Sequence, residues 1–106
     1  MNLRVMRVIV FFDLPITTIQ GIRAYTKFRR FLLKDGFIMM QESVYVKLAM
    51  NQGSADLIVK SIRKLCPEEG IVQVLQITEK QFSKMEFLVG ESQTEYVDSA
   101  ERFIEI

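Results

Sequence analysis

An α+β fold is what this sequence predicts, and three observations predict it. Val8-Ile9-Val10-Phe11-Phe12 is an unbroken apolar run of β-branched and aromatic residues without a helical period, as in a strand covered on both faces. Two longer stretches, beginning near Thr17 and Ser54, repeat apolar residues at three- and four-residue steps instead, as amphipathic helices do. Strand-like and helix-like segments follow one another along 106 residues, a length suited to one domain.

Composition narrows the chemistry. The longest apolar runs fall far short of the roughly 18 residues that a membrane span needs. The N-terminal stretch has no small-residue cleavage site, and Arg4 and Arg7 interrupt it, so a cytoplasmic location is expected. The chain has no histidine, which removes the commonest general base, the Ser-His and Cys-His nucleophile systems and most zinc sites. One cysteine, Cys66, excludes an intrachain disulfide and a cysteine metal cluster. It falls on a helical apolar stripe and is expected in the core. Carboxylates with a hard metal ion remain as the plausible catalytic equipment.

Charge is distributed unevenly. Through Lys64 the chain carries 11 Lys or Arg against 4 Asp or Glu; beyond it, 3 against 9. A basic body with an acidic end suggests two partners of different character.

The first strand stops at Asp13-Leu14-Pro15. Pro15 cannot continue a ladder and holds Leu14 extended. Asp13 therefore ends a buried strand, where it either carries chemistry or caps the following turn. A first helix is expected over residues 17–35, with Gly21, Ala24, Tyr25, Phe28, Phe31 and Leu32 on its apolar face. Arg23, Lys27, Arg30 and Lys34 fall within an arc of roughly 60° on the other side. No acid lies between Gln20 and Lys34 to pair with them, so the stripe is a candidate surface for an anionic partner.

Gly36 is expected to end that helix in a left-handed cap. Strands follow at 37–41 and 43–48, joined near Glu42 by a turn or bend that the sequence does not decide. Ser54 is the expected cap of a second helix, on which Ala55, Ile58, Val59, Ile62, Leu65 and Cys66 form the stripe. Pro67 stops it. A fourth strand is expected at 71–77, a turn or single helical turn at 78–82, and a short fifth strand at 85–89. Residues 91–106 form an acidic tail after a domain of residues 1–90.

Strand, helix, strand, strand, helix, strand is the ferredoxin-like βαββαβ arrangement, here with an additional C-terminal strand. Both helices then lie on one face of an antiparallel sheet. Apolar positions on the other face, drawn from Val8, Val10, Phe12, Val44, Val46, Val74 and Ile77, would be open, and a symmetric dimer would cover them.

Four segments in this order resemble one family: Phe11-Phe12-Asp13-Leu14-Pro15, Gly36-Phe37, Gln41-Glu42-Ser43-Val44-Tyr45 and Ile77-Thr78-Glu79-Lys80-Gln81-Phe82. Over about residues 5–90 the chain resembles the CRISPR-associated adaptation protein Cas2, the small partner of the Cas1 integrase. Its Leu-Pro ending and extended tail look most like the form found in type II systems. The resemblance implies a ferredoxin-like homodimer with its sheets face to face, the strand after Phe82 adding to the partner's sheet. It also implies that Asp13 is the catalytic and metal-ligating residue, one Mg²⁺ being shared by two Asp13 across the two-fold axis. Endonuclease activity on RNA or DNA is implied, with a role in spacer acquisition as a bridge between integrase dimers that holds duplex DNA. The acidic tail would dock on the integrase. The rival within the same fold is a stand-alone, toxin-like Mg²⁺-dependent endoribonuclease. An RNA-recognition module is disfavoured, because Val8 to Phe12 and Val44 to Leu48 lack its Gly-aromatic signature.

Overall fold

The computed structural model describes residues 4–91 of the chain. Seven elements follow in order: β1 (Met6–Asp13), α1 (Ile19–Lys34), β2 (Ile38–Gln41), β3 (Val44–Ala49), α2 (Gln52–Leu65), β4 (Ile71–Thr78) and α3 (Glu79–Phe82). The strands make one antiparallel sheet in the order β2-β3-β1-β4. This is the expected α+β, βαββαβ architecture. The tail assignment for residues 92–106 lies outside the described residues.

Local chemistry explains the element ends. Thr18 caps α1, its side chain accepting from the Gly21 amide, and Gly36 follows that helix at φ +100°. The cap of α2 is Asn51 rather than Ser54: the Asn51 side-chain oxygen accepts from the Ser54 amide. Cys66 is exposed and extended rather than core, because the residue before a proline is turned away from helical geometry and so leaves the stripe. Partial desolvation raises its thiol pKa, with the Arg63 guanidinium pulling the other way, so thiolate is scarce at neutral pH.

The register of the central strand sorts the core into two clusters. Met6, Val8, Val10 and Phe12 point under the helices and pack with Phe28, Leu32, Tyr45, Ala55 and Ile62. Phe12 is the hub, edge-on to Phe28 at 5.3 Å and stacked on Tyr45 at 5.5 Å between ring centroids. Ile9 points to the opposite face, where it packs with Val46 and Phe82. The expected open-face set is thereby corrected. Val44, Val46 and Ile77 lie on that side, but Val8, Val10, Phe12 and Val74 belong to the helix-side core. Phe11, Leu48, Ile71 and Leu75 take their place on the open face, all exposed.

One short helix touches the open face. Thr78 and Gln81 cap α3 reciprocally, and the Glu79 amide donates to the Val5 carbonyl at 2.9 Å. Arg7 clamps it from β1. Its guanidinium forms a two-point bond with the Glu79 carboxylate at 2.5 and 3.1 Å and lies 4.6 Å from the centre of the Phe82 ring. After α3 the expected fifth strand is not formed within the single chain. Phe87, Leu88 and Val89 are exposed, the last two almost fully.

The clamp is two-pronged and half-buried, so Arg7 and Glu79 are expected to couple. A double-mutant cycle with Arg7→Ala and Glu79→Ala in urea denaturation should give about 1 kcal/mol of coupling. Additive losses would show that the Arg7–Glu79 pair does not hold α3.

Candidate functional site

The strand end that carries Asp13 is fixed from both sides by glycines. At Gly70, just before β4, φ is +93° and a Cβ would stand 2.7 Å from the Asp13 carbonyl oxygen. At Gly21, in the first turn of α1, a Cβ would stand 2.3 Å from the Pro15 carbonyl oxygen. Real Cβ atoms do not come that close, so both positions admit the Asp13-Leu14-Pro15 backbone only as glycine. Leu14 is buried between them, which leaves this segment little freedom.

Asp13 itself is exposed. Among the described residues its carboxylate makes no hydrogen bond or ion pair, and Thr18, not Asp13, caps α1. The capping alternative is therefore not the one realised. Asp13 lines a shallow depression of about 320 Å³ with Phe11, Ser43, Val44, Ile71 and Gln73. Its strand partner is Ile71, and the neighbouring pair is Phe11 with Gln73. The bond from the Phe12 amide to the Ser43 carbonyl, 3.1 Å, brings the β2–β3 turn to the rim.

This donor set is all oxygen and suits a hard divalent cation that keeps several waters. It is incomplete in one copy. Among the described residues no three acidic, cysteine or histidine side chains come together. One chain offers one carboxylate here, and two copies meeting at this end of the sheet would offer two.

The basic stripe sits elsewhere. Arg23, Lys27, Arg30 and Lys34 are all exposed on α1, on the side of the helix turned away from Phe28 and Leu32. None of them forms an ion pair among the described residues. Lys60, Arg63 and Lys64 of α2 extend the positive charge over the same layer. Arg29 is the exception in placement: it lies beside the buried Tyr45 hydroxyl, whose pKa burial raises and the guanidinium partly restores. The structure thus keeps Asp13 and the stripe apart, the first at the open sheet face and the second on the outer helix layer.

Sequence reading missed two things here. Gly21 looked like an apolar-face residue rather than a point of close approach. Gln73 was lost in an imperfect alternation, and only the pairing with Phe11 shows which face it occupies.

Comparison with known proteins adds four findings. The family model for CRISPR associated protein Cas2 matches residues 6–85. A protein named CRISPR-associated endoribonuclease Cas2 from Treponema denticola is 56% identical over 99 residues, covering 93% of this chain and 98% of the relative. One of the same name from Ligilactobacillus salivarius is 46% identical, with 93% and 98% covered. A solved structure titled "Crystal structure of cas2" aligns at a TM-score of 0.58 and 19% identity, over 84% of this chain and 91% of that one. At that identity it speaks for the fold alone.

The glycine contacts make a test with an inverted sign. In an ordinary helix interior Gly→Ala stabilises by roughly 0.5–1 kcal/mol. Gly21→Ala is expected to lower stability instead, by roughly 2 kcal/mol, read as a fall in the urea midpoint at unchanged slope. A rise in the midpoint would remove the clamp from this account of Asp13.

Proposed function

Because the chain belongs to the CRISPR-associated protein Cas2 family, we propose that it acts as a homodimer that holds duplex DNA for the Cas1 integrase during spacer acquisition. In this reading the same dimer carries an Asp13-dependent, Mg²⁺-requiring nuclease site. The observation that carries it is the separation of surfaces: a basic stripe on the outer helix layer and a carboxylate at the open sheet face, neither in an ion pair among the described residues.

The dimer follows from unsatisfied surface. Phe11, Leu48, Ile71 and Leu75 form an apolar face left exposed among the described residues, and Phe87, Leu88 and Val89 are exposed as well. A second copy set sheet to sheet would bury that face, and residues 85–89 would pair with the partner's sheet. Two Asp13 would then approach across the two-fold axis. Bound there, Mg²⁺ would supply a more acidic water and stabilise charge on the scissile phosphate. The two carboxylates would hold and orient the ion, and Phe11, Val44 and Ile71 would form an apolar rim around them once the second copy covers this face. Relatives named endoribonucleases support RNA as a substrate of this site.

The helix layer does different work. From Arg23 to Lys34 the stripe runs about 16 Å along α1. Duplex DNA carries one charge per about 1.7 Å of axis, so roughly nine phosphate charges face that length. Contacts of this kind position a duplex without reading its sequence. Cytoplasmic residence is part of the same proposal; among the described residues no helix is long and apolar enough to cross a membrane.

Sedimentation at micromolar concentration should give a dimer, and a stable monomer would overturn the sheet-to-sheet arrangement. Two sets of substitutions separate the surfaces. Asp13→Ala should abolish Mg²⁺-dependent cleavage and leave duplex binding and spacer acquisition intact. Reversing Arg23, Lys27 and Arg30 to Glu should weaken duplex binding by roughly tenfold or more and flatten its salt slope by about three. Cleavage by the Asp13 site on a short RNA should survive that reversal. Loss of acquisition in Asp13→Ala, with the dimer intact, would contradict the division.

A further inference from the structure

The open face of β4 consists of Ile71, Gln73, Leu75 and Ile77, set opposite Asp13, Phe11, Ile9 and Arg7 of β1. Gln73 is the single polar residue of those four. Gln76, on the other face, has its amide engaged by Gln52 and Asp56. The Gln73 amide makes no hydrogen bond among the described residues. A side-chain amide amid an apolar face is costly once a second copy covers it, unless it finds a partner there.

The register names that partner. Asp13 pairs with Ile71, so Gln73, two residues on and on the same face, is its diagonal neighbour. Diagonal positions of an antiparallel pair stand roughly 7–8 Å apart, within reach of long side chains. Asp13 and Gln73 also line the same depression. At that spacing the long Gln73 side chain reaches the space in front of the Asp13 carboxylate, where a water of a hydrated cation would meet both groups.

We propose that Gln73 is a positioning residue for the cation site at Asp13, its amide holding a water of the bound ion. The inference rests on the metal reading given above. A carboxylate alone fixes an ion loosely; a second polar group across the ladder orients the water and lifts the ion's affinity. Across a two-fold axis the set becomes two carboxylates and two amides, all hard donors, around a largely hydrated ion. Ser43, on the rim of the depression, closes the third side.

The test uses the full-length chain and Mn²⁺ as the reporter, with free Mn²⁺ followed by its magnetic resonance signal. Sedimentation and thermal melting run in parallel. Wild type is expected to bind Mn²⁺, and Asp13→Ala to lose that binding. Gln73→Leu should bind roughly tenfold more weakly with an unchanged dimer and melting point. Gln73→Glu, which sets a second carboxylate in the same place, should bind roughly tenfold more tightly. Equal affinity of both Gln73 variants and wild type overturns the inference and leaves the Asp13 site standing. Absence of Asp13-dependent binding in the wild type overturns the metal reading, and this inference with it.

Discussion

The structure depends on a central strand that must be dry on two faces while the chain supplies helices for one. Val8, Val10 and Phe12 are satisfied inside the molecule, under α1 and α2. Ile9 is satisfied locally by Val46 and Phe82, and Phe11 stays exposed. Everything characteristic of the fold follows from that imbalance. Phe12 gathers Tyr25, Phe28 and Tyr45 into one aromatic knot that seats α1 on the sheet. On the other side, among the described residues, lies only the four-residue α3, which Arg7 clamps through Glu79. The apolar remainder asks for another molecule.

The same strand explains why a carboxylate can stand at its end. Asp13 is the last residue of β1, at the start of a segment squeezed between two glycines, and its backbone, not its side chain, is what the fold grips. The side chain is thereby free of structural duty. An aspartate that capped a helix or answered a cation would be spoken for before any ligand arrived. Here Thr18 does the capping, and the nearby cations of α1 turn outward.

Much of this was legible in the residues. The unbroken run from Val8 to Phe12 announced the central strand, and the spacing of Arg23, Lys27, Arg30 and Lys34 announced an outward stripe. Thr78 with Gln81 contained the reciprocal cap of α3. The assignment of faces was not legible. The run from Val8 to Phe12 has no period to read; only the charged Arg7 and Asp13, both at odd positions, hint that the even residues of β1 meet the helices. Without a period, the run leaves Val8, Val10 and Phe12 among the candidates for the open face, whereas they belong to the helix-side core. Cys66 shows the opposite lesson: the stripe of α2 was extended one residue past the point where Pro67 turns the backbone. Close approaches such as that of Pro15 to Gly21 join residues six apart around a corner, and no pattern of hydropathy records them.

Apart from the Gly21–Pro15 contact, the two surfaces share the backbones of the strands, while alternate side chains of each strand serve opposite layers. Substitutions can therefore accumulate in one layer without being felt in the other. Over evolutionary time a lineage could let the carboxylate site decay while the basic layer stayed under selection, or the reverse, and keep the fold in either case. A strand's two-residue period acts here as an insulator between separately heritable traits.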